Sequence, residues 1–366
     1  MQRLFEPADH HLDGRVSALA SDASFQSAAA ICANVFGDSI TNSSVAIREA
    51  EAQEVPMWLH PKDLRSRLAR LPGDGRMRSM NALTLSAGDL LLEVLPALGG
   101  AVTRFTRRDF QIFRETPANP SSVSDTASFP LIPFSNRVRA GRFRFGDTAY
   151  QIPVDKRDAR FTNHGHTRHL PWEVVGSSAA GLLLRFTQAE PGVTWPFPFT
   201  AEQRFELSPS ALTMMVRIRN DHTSPTPAGI GFHPYFTRTP DTKLRFSAEC
   251  VWEADELDIS VRSTAPAGRF DFSTGKALET PLINHAYSGW NGTAEITHTS
   301  GVRIVISATG ALNHLIFFTP EGRNFFGFEP VSHRPDALNP LADPRDQGMA
   351  ILSPGKWLEG RVTIAV

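Results

Sequence analysis

The chain has 366 residues, a formal net charge of -1 at neutral pH and 41% hydrophobic residues. Such a balanced charge gives no reason to expect nucleic acid or an anionic membrane as a partner. No run of about twenty apolar residues occurs, and no basic N-terminal region leads into an apolar core, so neither a membrane span nor a secretory signal is expected. Cys32 and Cys250 are too few for a disulfide framework and are interpreted as incidental or buried thiols of a cytoplasmic protein.

Residues 1–80 have a mixed pattern that differs from the rest of the chain. They are predicted to be an N-terminal extension, either peripheral or partly disordered. Two segments within it, residues 22–35 and 61–71, could form short helices. In the second, leucines recur at helical spacing after Pro61, a residue that the first turn of a helix accepts.

Residues 81–366 contain short apolar runs rich in β-branched and aromatic residues, separated by Gly, Pro, Asn and Asp. This texture predicts an all-β domain, a large β-sandwich. A hairpin is predicted over residues 141–150, with its turn at Gly146-Asp147. The clearest strand candidates are residues 90–95, 142–145, 182–186, 212–218 and 302–306.

An Asn-Arg pair, Asn136 and Arg137, follows an apolar segment that prolines interrupt. Arg137 can present a rigid fork of donors to hydroxyls or carboxylates. A structural salt bridge is an equally open role for the same side chain.

Three histidines, His164, His166 and His169, lie within six residues of one another. Imidazole is a common metal ligand, and in a strand the first two rings would point the same way. No Asp or Glu follows at the short spacing of a cupin-type metal site. A metal site and a solvated loop therefore both stay open as interpretations.

Two apolar runs each lead to an ionisable residue that a proline follows. Residues 229–232 lead to His233, and residues 325–328 lead to Glu329. The prolines are expected to end each strand, so that the two side chains are presented at strand ends. A satisfied core histidine and a surface salt bridge are the plain alternatives. Together, however, one His and one Glu form a candidate general acid–base pair.

In this order, the motifs resemble those of the aldose 1-epimerase (galactose mutarotase) family over about residues 84 to 365. The family's elements resemble Asn136-Arg137, His164-Gly165, His233 with Tyr235-Phe236, and Glu329 with the Pro-Asp-Ala at 335–337. The resemblance implies the family's large β-sandwich, a monosaccharide substrate, and no metal or organic cofactor. We expect a cytoplasmic monomer or weak dimer.

The resemblance also implies the roles of individual residues. Glu329 would be the base and His233 the acid that open and close a sugar ring. Members of the family commonly carry an Asp where this chain has Asn284, which leaves the identity of the sugar open. The residues implied to contact the substrate are Arg137, His164, Asn136, Asn284 and Tyr235. The aromatic side chains of Trp195, Tyr235 and Trp290 could either stack on a sugar or pack against other residues.

Three other functions stay open at this point. One is a hexose-6-phosphate 1-epimerase of the same fold, for which the sequence shows no distinct basic cluster. The others are a non-catalytic carbohydrate-binding β-sandwich and a histidine–metal enzyme.

Overall fold

The structure is a computed structural model that describes residues 82–278 and 283–366. The predicted extension over residues 1–80, its two helical segments and Cys32 lie outside the described residues. Within the described ranges, no helix is long and apolar enough to cross a membrane.

Antiparallel β-strands are the main regular structure of the described residues, with three single turns of 3₁₀ helix at Val123–Asp125, Thr167–His169 and Gly268–Phe270. The strands are, in chain order, β1 (Leu83–Ala87), β2 (Leu90–Leu95), β3 (Ala101–Arg107), β4 (Phe110–Gln111), β5 (Arg137–Arg139), β6 (Arg142–Phe145), β7 (Thr148–Gln151), β8 (Phe161–Asn163), β9 (Glu173–Ser177), β10 (Gly181–Gln188), β11 (Phe199–Ser208), β12 (Ala211–Asn220), β13 (Thr226–Ala228), β14 (Tyr235–Thr237), β15 (Lys243–Phe246), β16 (Cys250–Ala254), β17 (Ser260–Thr264), β18 (Lys276–Ala277), β19 (Ile283–Ser288), β20 (Thr293–Thr297), β21 (Arg303–Gly310), β22 (His314–Thr319), β23 (Phe325–Val331), β24 (Ala350–Leu352) and β25 (Trp357–Ala365).

Two large sheets dominate this part of the chain. One has nine strands in the order β18-β15-β20-β21-β25-β12-β11-β10-β9, and the other has six in the order β14-β23-β22-β19-β16-β17. A four-stranded sheet, β1-β2-β3-β4, and three two-stranded pairs complete the described architecture. The predicted all-β sandwich is confirmed, and so are the predicted runs, including the β6–β7 hairpin that turns at Gly146-Asp147.

The main core lies between the nine-stranded and six-stranded sheets. Along β12, alternate apolar side chains such as Leu212 and Val216 are buried, as expected when one face of a sheet is covered. Phe246 of the larger sheet contacts Phe317 and Phe328 of the smaller one, with ring centroids 6.0 and 5.5 Å apart. These aromatic contacts join the two layers of the sandwich.

The opposite face of the six-stranded sheet carries the polar residues of interest. Residues paired across neighbouring strands, and residues two apart along a strand, share one face. Tyr235 pairs with Gly327, and Glu329 pairs with Ile316. These side chains therefore share the face away from the main core, and Asn284, which pairs with Phe318 opposite Gly327, lies on the same face.

An irregular segment, residues 126–134, runs beside the edge strand β14 and holds His233 in place. The N–H of His233 donates to Phe129 O at 2.9 Å, and the N–H of Tyr235 donates to Ala127 O at 2.9 Å. Phe129 and Leu131 pack in a second, smaller apolar cluster on that face. The polar groups thus stand in a buried apolar layer.

Two details of the strand predictions are wrong. Pro330 does not end its strand, because β23 continues to Val331. The carbonyl of Pro330 accepts a hydrogen bond from Phe232 N at 3.1 Å, so the polar backbone atoms of Pro330 point away from β22. The N–H that proline lacks would therefore not have paired with β22, and the pairing of the two strands continues. His233 precedes β14 rather than ending a strand, since residues 229–232 form only isolated bridges.

Candidate active site

His233 and Glu329 meet on the face of the six-stranded sheet that points away from the main core. His233 Nε2 lies 3.1 Å from Glu329 Oε1. The two residues are 5% and 2% exposed, so the pair is almost fully removed from water. The second carboxylate oxygen, Oε2, and the other ring nitrogen, Nδ1, have no hydrogen-bond partner among the described residues. Buried polar atoms of this kind need an explanation, and a bound substrate is one.

The burial of this pair changes its proton affinities. Burial raises the pKa of the Glu329 carboxyl well above its ordinary value, and the positive charge of Arg137 opposes that shift. Burial lowers the pKa of the His233 imidazole well below its ordinary value, and the charges of Arg114 and Arg168 lower it further. Both shifts favour the uncharged forms, which are a protonated Glu329 carboxyl and a neutral His233 ring in direct contact.

His164 stands beside this pair with a fixed tautomer. Its ring centroid is 5.2 Å from that of His233. The N–H of Asn136 donates to His164 Nδ1 at 3.0 Å, so the neutral ring carries its hydrogen on Nε2 and can donate from there. Burial lowers the pKa of His164 well below its ordinary value, which keeps the ring neutral.

Asn136 acts on the site through its backbone. Its φ of 58° lies in the left-handed region that asparagine tolerates better than most residues. The side-chain oxygen accepts from the N–H of Arg137 at 2.9 Å, while the backbone binds His164 in both directions. A direct contact between Asn136 and a substrate stays a prediction.

Arg137 lies at the rim of the site, with one part of its guanidinium paired and one part unpaired in the part of the chain that the structure describes. It forms an ion pair with Asp258 at 3.0 Å, which is the salt bridge that the sequence left open. Its Nε has no partner among the described residues, and its charge acts on both Glu329 and His164. Arg137 can therefore supply one further donor to a substrate near the acid–base pair.

Tyr235 packs against His233, with ring centroids 4.4 Å apart. Its hydroxyl is 3.4 Å from His233 Nε2, and the guanidinium of Arg114 stacks 3.7 Å from its ring centroid. Arg114 is in turn held by the carbonyl of Thr126, at 3.0 Å from Nε. Burial raises the pKa of Tyr235, so the hydroxyl stays protonated.

Because Gly327 has no side chain, the space beside His233 and Glu329 is not filled by residue 327. A β-carbon at this position would lie 3.3 Å from Glu329 Oε1 and 3.6 Å from His233 Cε1. Because residue 327 shares the face of Glu329, any side chain there would occupy the space in front of the pair. Asn284 lies two strands away on the same face, where it could reach the far side of a small ligand.

Two of the aromatic residues considered for sugar stacking are packing residues. Trp195 is buried among Phe134, Phe143 and Phe197, with ring centroids 5.7 Å away in each case. Trp290 is buried against Phe328 in the main core. Neither ring is available to a ligand, whereas Tyr235 does border the site.

The histidine cluster divides among three environments. The ring of His164 joins the acid–base pair, the ring of His166 packs against Phe186 and Phe199, and His169 is exposed. Residues 164–166 do not form a strand, because His164 has a φ of 61° and Gly165 follows with a φ of 59°. In residues 82–278 and 283–366, no three His, Cys, Asp or Glu residues come together as a metal site.

Sequence reasoning missed several residues around the pair, notably Arg114, Phe129, Arg168 and Gly327. Phe129 packs against His233 with ring centroids 4.7 Å apart, and the guanidinium of Arg168 lies 5.6 Å from the Phe129 ring. Arg114 and Phe129 lie in strand or loop segments without a distinctive pattern. Only the glycine in an otherwise aromatic run, at 327, offered a signal in the sequence.

The fold and this geometry define a β-sandwich with a buried acid–base pair on one sheet face. A sequence profile described as "Aldose 1-epimerase" matches residues 81–365. The chain belongs to the aldose 1-epimerase family. Family and fold together support a sugar epimerase in general terms.

Related proteins and solved structures match most of the described part of this chain. The chain is 29% identical over 298 residues to the uncharacterized protein YphB of Escherichia coli, covering 78% of this chain and 99% of YphB. A crystal structure of a candidate aldose 1-epimerase from Escherichia coli has a TM-score of 0.71 and 27% identity, covering 78% of this chain and 98% of that one. A galactose mutarotase-like protein from Clostridium acetobutylicum shares the fold at 20% identity, with a TM-score of 0.70 and coverage of 77% and 94%.

Proposed function

We propose that the protein is an aldose 1-epimerase that interconverts the α and β anomers of a sugar by acid–base ring opening and closing. The observation that carries the proposal is the contact of 3.1 Å between His233 Nε2 and Glu329 Oε1, in a site removed from water. Family membership and likeness to galactose mutarotase-like structures support it.

The reaction needs two proton transfers and no change of oxidation state. Glu329 removes the proton from the anomeric hydroxyl while His233 Nε2–H gives a proton to the ring oxygen. The bond between C1 and the ring oxygen breaks, and the C1–O1 bond becomes a carbonyl. Rotation about C1–C2 presents the other carbonyl face, and closure returns both protons.

One shared proton is sufficient for this cycle. Ring opening converts the pair from carboxylate and imidazolium to carboxyl and neutral imidazole, and closure reverses the change. Burial favours the neutral form, whereas the charge of Arg137 favours the carboxylate. Because the two forms differ only in which partner holds the proton, neither has to exchange protons with bulk water during turnover.

The neighbouring residues would orient the sugar. His164 can donate from Nε2, and Arg137 from its unpartnered Nε, to hydroxyls or the ring edge. Glu329 Oε2 can accept from a hydroxyl. Tyr235 and Arg114 would fix the position of the His233 ring rather than contact the reacting atoms. A carbohydrate-binding domain without activity would not need a proton-sharing pair at its centre.

The proposal can be tested by nuclear magnetic resonance exchange spectroscopy of anomers over a panel of aldoses. Wild-type protein should accelerate anomer exchange of at least one aldose, and Glu329→Gln should lose that acceleration by roughly 10²–10⁴-fold while keeping its melting temperature within a few degrees. No acceleration for any neutral or charged aldose would contradict the proposed function.

A further inference from the structure

A cavity of about 590 Å³ lies between β8, the turn at Thr167–His169 and the loop over residues 153–157. Asn163 and Gly165 line it and flank His164, whose ring belongs to the pair's surroundings. Its volume lies in the range typical of small-molecule sites. The cavity and the pair are therefore linked through His164.

Arg168 lines this cavity as a buried cation that forms no ion pair among the described residues, although the charge of Asp155 acts on it from a greater distance. The residue is 3% exposed, and no carboxylate of the described residues lies within ion-pair distance of it. Its Nη1 donates to Ser124 Oγ and its Nη2 to Asn163 O, both at a long 3.3 Å, and its Nε has no partner among the described residues. Burying an unpaired cation is costly, so the arrangement calls for an anionic partner.

The remaining lining adds positive charge and further unused polar atoms. Lys156 and Arg157 bring two exposed cations to the cavity, against one carboxylate, Asp155, which lies 3.5 Å from Arg157. Three cations and one anion leave a net charge of +2 with the histidines neutral. Asn163 Oδ1, an acceptor, has no partner among the described residues, which suits a hydroxyl of the same ligand.

The separation between the Arg168 guanidinium and the His233 ring is compatible with the length of one charged sugar. Arg168 and His233 both approach the ring of Phe129. The guanidinium carbon of Arg168 is 5.6 Å from the centroid of that ring, and the centroid of the His233 ring is 4.7 Å from it. Their separation is at most the sum of these distances, comparable to the length of a hexose with a charged substituent at the carbon farthest from C1. The sequence showed no basic cluster because residues 156–157 and Arg168 come together only in the fold.

We propose that this cavity binds the anionic group of the substrate, so that the preferred substrate is an aldose carrying a phosphate or carboxylate group. The inference rests on the proposed function and deepens it. Arg168 would bind the anion through its fork of N–H groups, Lys156 and Arg157 would bind its outer oxygens, and Asn163 would accept from a sugar hydroxyl.

The first test compares glucose 6-phosphate, glucuronate and glucose as substrates for wild-type protein and for Lys156→Gln/Arg157→Gln. Wild-type kcat/KM should be higher for one of the charged sugars than for glucose, after subtraction of spontaneous exchange. In the double variant, KM for that charged sugar should rise about tenfold or more, as expected when charge-assisted hydrogen bonds are lost. The two charged sugars distinguish a phosphate from a carboxylate.

A matched control is Arg107→Gln/Lys243→Gln, which removes one arginine and one lysine that are exposed outside the cavity. It should leave KM for the charged sugar within twofold of wild type. Equal increases of KM in both double variants, or a wild-type preference for glucose over both charged sugars, would overturn the anion subsite.

A second variant, Arg168→Lys, keeps the charge but removes the fork of donors. In folded protein, verified by its melting temperature, it should raise KM for the charged sugar at least as much as the exposed double variant. An unchanged KM in folded Arg168→Lys would remove Arg168 from the subsite.

Binding can be measured without turnover by calorimetry with inorganic phosphate, using Glu329→Gln protein. The variant should bind phosphate, and the addition of Lys156→Gln/Arg157→Gln should weaken that binding about tenfold. Absence of phosphate and glucuronate binding, with neutral sugars still turned over, would refute the subsite and leave the proposed function intact. Phosphate binding without anomer exchange of any sugar would instead refute the proposed function.

Discussion

Replacement of His333 should make the stability of the protein less dependent on pH. The ring is 3% exposed and bridges distant parts of the chain: Ser135 N–H donates to Nε2 at 3.1 Å, and Nδ1–H donates to Arg334 O at 2.8 Å. The neutral ring satisfies both partners. A second proton, on Nε2, would face the N–H of Ser135 and break that hydrogen bond.

The magnitude follows from the shift in proton affinity. Burial lowers the pKa of His333 to about 4, against about 6.5 in an unfolded chain. Because the folded pKa is the lower one, the unfolded state binds more protons as pH falls below about 6.5, and stability is lost in that direction. At 1.36 kcal/mol per unit, His333 alone should reduce the free energy of unfolding by about 2 kcal/mol between pH 7.5 and pH 5.

His333→Gln keeps a donor and an acceptor but cannot titrate. At pH 7.5 the variant should be less stable than wild type by about 1–3 kcal/mol, owing to poorer packing and hydrogen bonding. At pH 5 that difference should shrink by about 2 kcal/mol, because only the wild type pays the protonation cost at this position. Urea unfolding at the two pH values, with equal m-values, measures both differences. A destabilisation that is the same at pH 7.5 and pH 5 would refute the reasoning.

Three further predictions concern the site and its surroundings. Gly327→Ala should lower kcat/KM by about tenfold or more, because its β-carbon would crowd Glu329 and His233, whereas Gly176→Ala, which meets nothing within 4 Å, should have no effect on the same assay. Asn284→Asp should change the ranking of sugars by kcat/KM rather than abolish turnover, since a mismatched polar partner costs about 1–3 kcal/mol, and an unchanged ranking would remove Asn284 from the site. Deletion of residues 1–76 should leave melting temperature and anomer exchange nearly intact, and an insoluble or inactive truncated protein would show that the extension belongs to the core.

Local patterns predicted the elements of the fold well where turn residues mark both ends of an apolar run. The strand at residues 90–95 has the predicted bounds, and the hairpin has the predicted turn at Gly146-Asp147 with its outer ends shifted by one residue, to 142 and 151. The error at Pro330 has a physical cause, because a proline interrupts only the ladder toward which its nitrogen points. Sequence alone does not reveal that direction, which depends on the pairing of β22 with β23.

The candidate site was only partly predictable. Glu329 and His233 could be chosen as ionisable residues among apolar neighbours, but their contact depends on the segment that binds His233 N–H through Phe129 O. Arg168 carried no signal, because its isolation from carboxylates exists only in the folded chain. The contacts of the Tyr235 hydroxyl with His233 and of its ring with Arg114 were also not predicted, and its contact with a substrate stays a prediction.

The central claim is that Glu329 and His233 act as one proton-sharing unit in anomer exchange. A double-mutant cycle tests it most directly, with turnover measured for wild type, Glu329→Gln, His233→Asn and the double variant. Each single variant should lower kcat by roughly two to four orders of magnitude, and the double variant should be little slower than the slower single one. Independent, multiplying losses, or folded Glu329→Gln protein with near wild-type anomer exchange, would contradict the account.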